Sequence, residues 1–183
     1  MNTAPSYNVF WWLLTRLNPR QLESCFVRWI QSLPDEDKNK LIAIDGKHLR
    51  GAARSKQIHL VSAWDSTRSL LLGQVKADEK SNEITAIPEL LDNLDLTNAT
   101  VTIDAAGCQT DITDKIRGGG GNYVIALKGN QGTLHAEAEN FFTQARDAGY
   151  EDADCKSSSG CEKGHGRIEE RKVVITNQLD WLD

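Results

Sequence analysis

No apolar run in this chain approaches the eighteen or so residues that a membrane-spanning helix needs. No basic, apolar, small-residue leader opens it. Its densest apolar cluster, FWWLL, covers only residues 10–14. The expectation is a cytoplasmic protein with no membrane partner. Cationic excess is also missing: the formal net charge is −5, which excludes a chain that is basic as a whole. Any nucleic-acid contact must then come from a local patch. The four cysteines, Cys25, Cys108, Cys155 and Cys161, lack the spacing of a disulfide framework, and a reducing cytosol keeps them as thiols. Cys155, Cys161 and His165 imitate a zinc cluster, but the gap between the cysteines is too long for a zinc knuckle and no fourth ligand is evident. They read as loop thiols. There is no Walker-type phosphate loop and no internal repeat.

What is present suits one sizeable domain: 183 residues, 39% hydrophobic and 26% charged. Residues 1–40 predict a helical segment. Ser6 caps a short helix carrying Phe10, Trp11, Leu14 and Leu17. Pro19 opens a second, with Leu22, Cys25, Phe26, Trp29, Ile30 and Leu33 at helical spacing, and Pro34 stops it. Residues 41–183 predict the core. LIAID (41–45) is a short buried strand, and HLVSAWD (59–65) and LLLGQVKA (70–77) form a hairpin through STRS. A helix follows with Pro88 near its start and Leu90, Leu91 and Leu94 on its buried stripe. TVTID (100–104) is the next strand. A helix with Ile112 and Ile116 then breaks at Gly118–Gly121. NYVIALKG gives another strand, and Leu134, Ala138, Phe141 and Ala145 mark another helix. Residues 151–166 read as an exposed loop before a last strand, RKVVIT (171–176). Hairpin-linked strands followed by βα units indicate an α/β fold, a mixed sheet flanked by helices of the ribonuclease-H-like kind.

Two apolar strands end in aspartate, at Asp45 and Asp104. If the strands are neighbours, two hard carboxylate donors meet at one sheet edge and suit Mg²⁺ or Mn²⁺. Two such ions activate a water or a 3′-hydroxyl and stabilise the leaving oxygen of a phosphodiester. Taken alone, either aspartate reads better as a turn residue than as a metal ligand. GKHLRGAAR adds Lys47, His48, Arg50 and Arg54, with Gly46 and Gly51 allowing close backbone approach. Lys128 in ALKGNQ and His165 and Arg167 in HGRIEERK add further cations. Such residues contact phosphates, but they also serve as a solvated rim.

AIDGKHLRGA, KSNEITAIPELL, TIDAAGCQ, YVIALKGNQ and GHGRIEER occur here in the order seen in the ISAs1-type bacterial insertion-sequence transposases. That family includes the H-repeat-associated proteins, and the resemblance runs from about residue 5 to the end. It implies a DDE transposase with a ribonuclease-H-like core and Mg²⁺ or Mn²⁺ as cofactor, acting on insertion-sequence ends and target DNA. Asp45 matches the first family acid and Asp104 the second. The third is a helical Glu in a motif resembling R-HW-x-IEN, and no such stretch occurs here. Glu169 and Glu170 belong to GHGRIEER, an earlier motif, and do not replace it. Family members also carry a module of roughly ninety residues before APS. The expectation is therefore a central transposase fragment with an incomplete two-metal site and little strand transfer of its own. It would associate with itself or with an intact copy. A noncatalytic DNA-binding or regulatory remnant is the alternative. Residues 1–40 and HGRIEER argue against an unrelated ribonuclease-H-type nuclease.

Overall fold

Burial alternates along the first strand and sets the two faces of the sheet. In β1 (Lys40–Leu49) Ile42 and Ile44 are buried while Leu41 and Asp45 are exposed, the two-residue period of a pleated strand. The computed structural model describes residues 4–33, 40–49, 58–77, 83–150, 154–164 and 167–181. β2 (Ile58–Asp65) lies antiparallel to β1, and β3 (Leu70–Ala77) antiparallel to β2. β4 (Ala99–Ile103) and β5 (Asn122–Ile125) run parallel on the other side of β1. The order β3-β2-β1-β4-β5 is that of a ribonuclease-H-like mixed sheet, as expected from the element order.

One face of this sheet is closed. Ile42, Ile44, Val61, Ala63, Val101 and Ile103 cluster with Ala86, Ile87 and Leu90 of α3 (Glu83–Leu91) and with Ile112 and Ile116 of α4 (Thr110–Gly118). Each fully buried aliphatic side chain there contributes about 2 kcal/mol by area. Among the described residues of this unit the other face is the more exposed one. Cross-strand register aligns Trp64, Ala43, Thr102 and Val124 in one row, and Trp64 and Val124 are 43% and 62% exposed.

Of the two helices preceding the sheet, α1 (Tyr7–Leu14) buries no residue, and Ser6 caps it without a side-chain hydrogen bond. In α2 (Pro19–Ser32), Asn18 accepts hydrogen bonds from the amides of Arg20 and Gln21, with Pro19 in the first turn. Ile30 is buried, and Phe26 and Leu33 pack on the sheet core.

The residues form two compact units, Met1–Ala126 and Leu127–Asp183. The second holds α5 (Gly132–Asp147) and a ribbon of β6 (Cys155–Gly164) and β7 (Arg167–Thr176). Within it Phe141 stacks on Trp181, with ring centroids 5.1 Å apart. No helix among the described residues is long and apolar enough to cross a membrane.

Several boundaries differ from expectation. The loop expected at 151–166 is largely β6, because a continuous antiparallel ladder from Cys155↔Thr176 to Gly164↔Arg167 satisfies its backbone. The last strand accordingly starts at Arg167 rather than Arg171. β1 does not end at Asp45: pairing with β2 continues to Leu49↔Ile58. The strand expected over NYVIALKG stops at Ile125. Pro88 lies inside α3, well past Glu83.

Candidate active site

The parallel ladder between β1 and β4 brings the two aspartates together. Ile44 pairs with Ile103, the last residue of β4, so Asp45 within β1 and Asp104 just past β4 each follow a paired residue. Neighbouring strands lie about 4.8 Å apart, close enough for one cation to bridge carboxylates at matching positions. Because Ile44 and Ile103 face the core, the following residues face the open side. Both aspartates are exposed.

Asp104 also has a local task. Its Oδ1 accepts a hydrogen bond from the Ala106 amide at 2.9 Å, capping a 3₁₀ turn over Ala105–Gly107. This fixes the carboxylate and engages one of its oxygens. A Cβ at Gly107 would strike the Ile103 side chain, so the turn closes against β4 only with glycine there. The turn role weighed from sequence is real for Asp104, and the remaining oxygen is available to a ligand. By donor chemistry two carboxylates fit a hard divalent ion, as a partial set. Among the described residues no three His, Cys, Asp or Glu side chains converge as a metal-holding group.

The expected cations are not one cluster. Lys47 is exposed on the Asp45 side of β1, whereas His48 turns to the other face and stacks on His59, centroids 4.0 Å apart. Arg50, Arg54 and His165 lie outside the described residues. Lys128 and Arg167 are exposed and belong to the second unit. Sequence reading assigned no role to His59 or Glu83. The His59 Nε2 atom lies 3.0 Å from Glu83 Oε1, at the first residue of α3. KSNEITAIPELL had drawn attention to the segment, but nothing in its spacing showed where Glu83 reaches.

The family model described as transposase DDE domain matches residues 36–178. The H repeat-associated putative transposase YhhI of Escherichia coli K12 is 40% identical over 185 residues, covering 99% of this chain and 48% of that protein. The H repeat-associated putative transposase YbfD of the same strain is 38% identical, with 99% and 72% covered. The putative transposase YncI of Escherichia coli O157:H7 is 41% identical over 169 residues, with 90% and 43% covered. The chain thus spans about half the length of YhhI and YncI and 72% of YbfD.

Proposed function

The chain belongs to the transposase DDE domain family, and on that premise we propose that it carries two of the acids of a metal-dependent DNA strand-cleavage and strand-transfer site. The observation that supports this reading is the parallel register of β1 and β4, whose last pair, Ile44 and Ile103, immediately precedes Asp45 and Asp104. Asp45 and Asp104 would hold Mg²⁺ or Mn²⁺. When bound, such ions activate the attacking hydroxyl or water and stabilise the leaving oxygen of a phosphodiester. Asp104, held by its turn, keeps a fixed orientation; Lys47 on the same side would contact the DNA backbone. Arg50, Arg54, Lys128, His165 and Arg167 are proposed as further phosphate contacts. Insertion-sequence ends and target DNA are the proposed partners, together with a second copy or an intact transposase. Residues 41–183 are proposed as part of the catalytic domain, following the helical segment of residues 1–40.

The reading also accommodates weak catalysis by this chain alone. Two carboxylates, one of them shared with a turn, hold a pair of divalent ions poorly. That observation favours the second reading, a noncatalytic binder of element DNA. The test is an assay of binding and nicking on insertion-sequence end DNA with Mg²⁺ or Mn²⁺, over a range of salt. Nicking that disappears in Asp45→Ala and Asp104→Ala supports the catalytic reading. Salt-sensitive binding that persists in both variants, without nicking, supports the noncatalytic one. Absence of both overturns the DNA assignment.

A further inference from the structure

Opposite the face that carries Asp45, a second polar cluster presses on the next residue of β1. A Cβ built on Gly46 would fall on the Glu83 carboxylate and stand 2.8 Å from His59 Nε2. Gly46 is thus a glycine because a carboxylate from α3 occupies the space of its side chain. His59 and Glu83 are mostly withdrawn from water, their side chains 16% and 24% exposed. His59 Nε2 is itself buried and has no hydrogen-bond partner among the described residues. The Glu83 Oε1 atom stands 3.0 Å away, an ion pair whenever the imidazole is protonated. A buried nitrogen costs free energy unless something nearby compensates it, and Glu83 is the group placed to do so. His48, directly across the ladder from His59, stacks on the same ring.

This arrangement joins three elements at one point: the Asp45–Gly46 stretch of β1, the start of β2 and the first turn of α3. Asp45 faces one side of the sheet and Gly46 the other, so a group packed on Gly46 bears on the backbone that carries Asp45. We infer that Glu83, with His59, is a positioning residue that holds the Asp45–Gly46 backbone in place for the proposed metal site. The metal part of this inference rests on the reading given above; the contact with Gly46 does not. Residues that support metal ligands without touching the ion commonly change affinity by about tenfold or more when altered.

The test combines amide hydrogen exchange with Mn²⁺ titration on the whole chain, using Glu83→Gln, Gly46→Ala and the double variant. Gly46→Ala leaves Glu83 chemically intact but pushes its carboxylate away. Both single variants are expected to speed exchange at Asp45 and Gly46 and to weaken Mn²⁺ binding about tenfold. The core amides of Ile112 and Ile116 should stay protected. The double variant should be no worse than the poorer single one, since both remove the same contact. Unchanged exchange and affinity in the single variants would overturn the inference. So would a uniform loss of protection across the sheet, which marks a merely structural role. If the unaltered chain binds no Mn²⁺ while exchange at Asp45 and Gly46 still responds, the metal reading fails and the positioning contact stands.

Discussion

At Asp65 burial and hydrogen bonding act in opposite directions. Burial raises the pKa of its carboxyl, but the Arg68 amide, the Arg68 guanidinium at 2.7 Å and the Thr67 amide together hold it below the usual carboxylate range. A depressed folded-state pKa contributes stability above the unfolded value and loses it as pH falls through the folded one, so the sensitive window lies below about pH 4. Asp65→Asn should cost about 2 kcal/mol at pH 7 and flatten the acid limb of stability, measured by urea unfolding at pH 7 and pH 3. Some acid sensitivity should remain, because Asp95 is also lowered, by the Thr97 amide and then by Lys40. The STRS turn was legible from composition. That Asp65, which precedes it, is fully buried and organises it was not, since a strand-end aspartate has no sequence mark for burial.

Among the elements, the 3₁₀ turn after β4 controls Asp104 most directly. Gly107→Ala would force its new methyl group into Ile103, at a cost of about 1–3 kcal/mol. Urea unfolding should show that loss, and Mn²⁺ binding should weaken as the turn shifts. The strands bearing Asp45 and Asp104 could be read from their apolar runs. Their adjacency could not, because a parallel pairing is set by the helix and the packing between the strands rather than by either segment. β6 was missed for a related reason. Ser157, Ser158, Ser159 and Gly160 show no apolar alternation, so the ladder with β7 defines the strand where side-chain pattern does not. The extension of β1 through Gly46, Lys47 and His48 was hidden by the same polar composition. Glu83 opens α3, where an acid suits the helix dipole, but the sequence pattern put the helix start near Pro88, and the reach to Gly46 depends on how α3 packs on the sheet.

For the molecule as a whole, charge and exposure bear on the proposed partners. With a net charge of −5, attraction to DNA has to be local and limited to few phosphates. A plot of log binding constant against log salt should have a slope of about −5, corresponding to the roughly six phosphate contacts proposed above. Lys47→Ala should reduce the slope by about one unit, measured by fluorescence anisotropy. The asymmetry of the sheet gives this charge a setting: α3 and α4 close one face, while Asp45 and Lys47 lie on the open one with Trp64 and Val124. Under the proposed function Asp45 and Asp104 act together as one cation site. Isothermal titration of Mn²⁺ into the chain and into Asp45→Asn, Asp104→Asn and the double variant tests it most directly. Binding should fall about tenfold or more in either single variant, with little further loss in the double. Equal Mn²⁺ affinity in all four proteins would contradict it.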